Sequence, residues 1–156
     1  MDVPDEYLRE IGLVIVLWSR LEHMLNASLI LAMTGQYQDP DGRASAVFAH
    51  MAIEQKLNAL ESMLRLIDRG LGEQFSRNIL PQISQAKKAR NAFVHHLWTG
   101  HDGSVHRSNI KARGKIEVEH EEISLKKLIK TAETISKVRD ELQTFCLSKI
   151  TPHMGQ

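Results

Sequence analysis

Between Lys87 and Trp98 the chain sets two lysines, an arginine, an amide and two imidazoles among core-type residues. Arginine offers a fixed fork of donors to phosphoryl oxygens whose charge grows in a transition state. Histidine titrates near neutral pH and can take a proton from a ribose 2′-OH or return one to a leaving 5′ oxygen. On a helix, Asn91 and His95 are four residues apart on one face, with Arg90 about 100° from the first and about 140° from the second. Arg90, Asn91 and His95, with His96 as the alternative imidazole, are therefore the candidate catalytic residues. Such a set suits a metal-independent ribonuclease, whose nucleophile is the RNA's own 2′-OH.

Other chemistries find less support. No Gly-x-Ser-x-Gly elbow, phosphate loop or dinucleotide fingerprint occurs. The single cysteine, Cys146, falls on an amphipathic stretch where an inert buried thiol is expected, and it excludes an internal disulfide or a cysteine-rich metal site. The eight histidines do not make a metal motif, because adjacent His95 and His96 diverge by about 100° on a helix and neither has a carboxylate three or four residues on. Neither metal nor cofactor is expected.

The elements that must position the motif belong to an ordinary globular chain. At 156 residues, with 42 % hydrophobic and 25 % charged residues, the sequence reads as a single domain over residues 1–156. The lone cysteine suggests a reducing, cytoplasmic setting. The acidic start lacks a secretory n-region, and the apolar run Leu13–Trp18 is too short to span a bilayer, so no membrane segment is read. Charge is uneven. Residues 86–115 hold Lys87, Lys88, Arg90, Arg107, Lys111, Arg113 and Lys115 against Asp102 alone, a net +6 within a chain of net +1. Apart from Arg90, these cations are the candidate RNA-binding residues, each phosphate contact adding salt dependence. The competing expectation is that Glu117, Glu119, Glu121 and Glu122 neutralise the later ones across a hairpin.

Apolar residues at three- and four-residue steps predict a first helix from about Asp5 to Met33, stopped by Gly35. Its surplus of apolar residues, Leu13, Val16, Leu17 and Leu29, points to a central helix or a dimer face. Ala46, His50, Ile53, Leu57, Leu60, Leu64 and Ile67 predict a second helix, with His50 in the core, Glu54, Lys56, Asn58, Glu61 and Arg65 in solvent, and Gly70 and Gly72 as the stop. A third helix is expected from near Glu73 to near Trp98, with Arg90 interrupting its apolar stripe and Pro81 marking a first turn or a separate piece. The period then shortens, and residues of about 104–122 read as a β-hairpin turning at Gly114. Ser124 caps a fourth helix, and the tail after Thr151 is expected to fray. The expected fold class is all-α, a four-helix antiparallel bundle with a β-hairpin between helices three and four.

The run Arg90-Asn91-Ala92-Phe93-Val94-His95 resembles the Arg-polar-x(3–5)-His signature of the HEPN superfamily, helical bundles that include RNA-cleaving toxins and defence proteins. Arg90 matches the arginine, Asn91 the polar residue and His95 the histidine, while His96 fits the longer spacing where a small residue often follows instead. The resemblance implies a homodimer whose motif helices meet in one composite cleft, and a toxin-type relative would have an antitoxin protein as a partner. Two other readings stand beside the ribonuclease. One is a catalytically inactive module of the same fold that binds nucleotide, RNA or a partner protein. The other is structural, with Arg90 paired to Glu22 or Asp140 inside the bundle.

Overall fold

The computed structural model describes residues 3–94, 96–101, 104–112 and 116–154, and these form a mostly helical chain with a small three-stranded antiparallel sheet. The first helix, α1 (Asp5–Thr34), is the element the others pack around. Val14, Trp18, Leu21, Leu25 and Leu29 form its buried stripe and meet α6 (Leu125–Phe145), α3 (Ile53–Ile67) and α5 (Leu80–Val94). Pro4 stands at its N-cap, Asp5 and Glu6 complement the helix dipole, and Gly35 ends it at φ 76° with its N–H on the Leu31 carbonyl. By length and hydropathy alone α1 would qualify as a membrane-crossing helix. Here its stripe is the middle of a protein core.

The expected second helix is two. A short α2 (Arg43–Ala49) enters through Gly42 at φ 70°, and His50, Met51 and Ala52 separate it from α3. The reason lies in the stripe. Phe48 and Leu57 are nine residues apart, about 180° around a continuous helix, so one rod could not bury both. Breaking the chain lets Ala44 and Phe48 face inward from α2 while Leu57, Leu60 and Leu64 do so from α3. Gln55 accepts the Ala52 N–H at 2.8 Å and restarts the helix. His50 is accordingly exposed, not a core residue, and Lys56 is buried, not solvated, lying at the edge of the stripe beside Leu57.

Gly70 and Gly72 do not stop α3 but lie inside α4 (Arg69–Gln74), which Asp68 begins by accepting the Leu71 N–H at 3.0 Å. Gly72 is required there by proximity. A Cβ at this position would stand 2.1 Å from Arg65 Cγ and 3.0 Å from the Arg65 backbone nitrogen. The side chain could swing away, but the backbone could not. Gly72→Ala is expected to destabilise the fold by about 1–3 kcal/mol, read as a lower urea midpoint at unchanged m-value.

From α4 the chain continues without interruption through a π-turn (Phe75–Ile79) into α5, so the third helical rod starts earlier than expected. Leu80 N–H bonds the Phe75 carbonyl, five residues back. This widening directly precedes Pro81, which has no N–H to offer the Arg77 carbonyl. The rod ends at Val94, not Trp98, because side chains from the strands that follow take its last carbonyls: Trp98 Nε1 donates to Phe93 O at 2.8 Å and Arg107 Nη1 donates to Ala92 O. Leu97–His101 is then β1, which the sequence reading missed.

The expected hairpin is present as β2 (Ser104–Ala112) and β3 (Ile116–Glu122), in sheet order β1-β2-β3, and its predicted Gly114 turn lies outside the described residues. Ser124 caps α6, accepting the Lys127 N–H at 3.3 Å. The tail is helical where fraying was expected, running through a second π-turn (Cys146–Ile150) into α7 (Thr151–Met154). Two clusters hold the chain together. The main core is helical, and a small second one, Phe93, Ile123 and Leu128 with Tyr7, Ile11 and Trp98, fastens the sheet to the ends of α1, α5 and α6.

Candidate functional site

Ile83, Ala86 and Phe93 are the buried residues of α5, and Arg90 occupies the step between the last two. Its guanidinium carbon lies 5.8 Å from the ring centre of Trp18, itself only 4 % exposed. A tryptophan face attracts a planar cation and holds its fork in a fixed plane. Nη1 of Arg90 also donates to Asn91 Oδ1 at 3.0 Å. The amide thus turns toward the arginine beside it in the sequence. Asp140, a suggested partner of Arg90, accepts instead from Arg139 Nε at 2.9 Å.

His95 lies outside the described residues. Since α5 ends at Val94, the motif straddles a helix terminus, and the helical angles assumed for its histidines do not extend to His96. That residue leads into β1 and lines a polar cavity of about 260 Å³ with Arg107, Glu119, His120 and Glu121. His120 Nδ1 lies 2.8 Å from Ser108 Oγ. His120 and the two glutamates were not singled out as site residues beforehand. The alternating register of the hairpin, which pairs Arg107 with Glu121 and Ser108 with His120, was the signal that could have found them.

The candidate RNA-binding cations divide. Lys87 Nζ pairs with Glu54 Oε1 at 2.5 Å, tying α5 to α3, whereas Lys88 is exposed. Arg107 bonds Glu121, bonds the Ala92 carbonyl and lies over the Phe93 ring at 5.7 Å, so it clamps the sheet to the end of α5. Lys111 faces Glu117 in the backbone register, and Arg113 and Lys115 lie outside the described residues. Among the described residues no three His, Cys, Asp or Glu side chains gather as metal ligands would. A groove of about 730 Å³, walled by α6 and the rod containing the first π-turn, holds no part of the motif.

Glu121 links three elements. Its hydrogen bond from Lys127, and next that from Arg107, holds its carboxyl below the ordinary glutamate range. A carboxylate with a depressed folded-state pKa adds stability above its unfolded pKa and loses it as pH falls through the folded one. Glu121→Gln should therefore lower the melting temperature above about pH 5, with the gap from the parent protein closing on acidification. Thermal melts of both proteins across an acid pH series check this.

Comparison with known proteins finds no matching family model, no matching curated protein and no matching solved structure.

Proposed function

We propose that the chain is a HEPN-type, metal-independent endoribonuclease of the toxin or antiphage-defence kind, working as a homodimer. In this reading α1, α3, α5 and α6 are the four helices of an antiparallel bundle, with the hairpin inserted before the last. One observation carries it. A charged guanidinium sits within the apolar stripe of α5, held by Trp18 and Asn91, five residues before two consecutive histidines in the sequence. An aromatic face that holds the guanidinium in a fixed plane keeps its fork of donors set for a phosphoryl group.

The chemistry follows from the groups. An imidazole, His95 or His96, takes the 2′-OH proton. The 2′ oxygen attacks phosphorus, the P–O5′ bond breaks, and the 5′ oxygen leaves with a proton. Arg90 stabilises the charge on the phosphoryl oxygens. The products are a 2′,3′-cyclic phosphate and a 5′-OH. The exposed apolar side chains of α1, Leu8, Leu13, Ile15 and Val16, supply a face that a second copy would cover. An antitoxin protein fits the same reading.

The purified protein should cut RNA in excess chelator and leave a cyclic phosphate end, detected by end-group analysis of the products. Saturable RNA binding without any cleavage, at high protein concentration and on diverse RNAs, would sink the enzyme reading and leave the inactive binding module.

A further inference from the structure

The solvent side of α1 carries a strip of its own. Counted in helical angles, Asp5, Leu8, Val16, Ser19 and His23 all point within about 40° of Gly12, with Ile15 and Arg20 at the edges. Leu8, Ile15 and Val16 are between 41 % and 53 % exposed, a contiguous apolar span left in water. Toward its C-terminal end the strip opens into a groove of about 640 Å³ against α6. Ile15, Val16 and Met24 give that groove apolar walls and Arg20, His23 and Arg139 give it cations, with no carboxylate in the lining among the described residues.

Charge runs along the strip in one sense. Asp5 and Glu6 stand at its start and Arg20 and His23 at its far end, all four exposed. None of the four makes an ion pair among the described residues. Arg9, the one charge within the apolar span, is drawn aside to Glu10 at 3.2 Å. Gly12 lies at the midpoint. A Cβ there would meet nothing within 4 Å, so packing inside the chain does not require a glycine in the middle of a long helix, where it is a poor helix former. A second helix crossing from outside does, because the missing side chain lets two backbones approach to about 8 Å.

The strip is complementary to itself. Turned end for end about Gly12, Leu8 meets Val16 of a second copy, each about 6 Å from the crossing by helical rise. Asp5 and Glu6, about 10 Å out, then meet Arg20, about 12 Å out, within reach of its long side chain. We infer that two copies of this chain pair antiparallel through α1, crossing at Gly12, with Leu8 of each seated in the α1–α6 groove of the other. Trp18, which holds Arg90, points about 120° away from Gly12 around the helix. The two arginines therefore face away from this interface instead of into the shared cleft expected from the sequence motif. The pairing gives the proposed homodimer its arrangement, and it is tested by assembly, not cleavage, so either can fail alone.

Sedimentation velocity of the full chain, from micromolar to millimolar concentration, should show a monomer–dimer equilibrium. Arg20→Glu should weaken it by about tenfold or more, and so should Asp5→Lys combined with Glu6→Lys, because each sets like charges face to face at both ends of the pair. Mixed in equal amounts, the two variants should form a heterodimer about as tight as the parent dimer, since both contacts then join opposite charges. Gly12→Gln should weaken pairing without lowering helix content, read by circular dichroism. A parent chain that stays monomeric throughout the series overturns the proposal. Dimers that neither charge variant weakens overturn it too. So does a mixture that stays monomeric although both variants are folded, since the opposite charges would then not face each other.

Discussion

Arg90→Ala is expected to lower the rate of RNA cleavage by about two to three orders of magnitude, the range for losing one preorganised donor set at a developing oxyanion. The loss should fall on kcat, because the fork's contribution grows with charge in the transition state. Arg90→Lys keeps the charge but not the planar pair of donors, nor the same stacking on Trp18, and should recover little. The ring contact with Trp18 and the hydrogen bond to Asn91 each add only about 1 kcal/mol to stability. Parallel measurement of cleavage rates and urea midpoints separates the two effects. A large drop in midpoint with no RNA activity in the parent protein would support the structural reading of the arginine.

Phe75→Ala should do the opposite, damaging the fold and sparing the chemistry. Phe75 is fully buried, opens the π-turn before Pro81 and packs its ring 6.0 Å from that of Phe145 near the end of α6. Truncating a buried phenylalanine costs about 3–5 kcal/mol, a large share of the 5–15 kcal/mol that holds a domain folded. The ring pair joins the two rods at the points where each has a π-turn, so little nearby can shift to refill the space. Phe75→Leu should recover more than half of the lost stability. Cleavage per folded molecule, measured well below the melting temperature, should match the parent protein.

The readable parts of this chain were those set by one strong local pattern. The bounds of α1 came from an uninterrupted stripe with a glycine at its end, the cap of α6 from Ser124, and the hairpin from its change of period. What failed depended on contacts distant in sequence. His50 matched a helical step, but the positions of Phe48 and Leu57 on opposite faces forced a break that local periodicity does not reveal. Trp98 belonged equally well to a helical stripe, and only the carbonyls taken by Trp98 and Arg107 ended α5 at Val94. Gly72 read as a helix stop, although its role is to let Arg65 come close.

The site was legible in the same uneven way. Arg90 in an apolar stripe was visible from spacing, and its partners Trp18 and Asn91 could be named only with the packing in hand. The basic segment was misleading as a sum, since Lys87 and Arg107 are already engaged by Glu54 and Glu121. A stretch of positive sequence is a poor guide to positive surface when strands return acidic residues beside it.

The separate cluster of Phe93, Ile123 and Leu128 has a dynamic consequence. It is much smaller than the helical core, so the sheet and the end of α5 are expected to open at a lower free energy than the helices, which hydrogen exchange would read. His96, between α5 and β1, lies at the seam of that smaller unit. In the proposed ribonuclease an incoming RNA strand would meet the part of the molecule that yields first, with Arg90 held on the helices behind it.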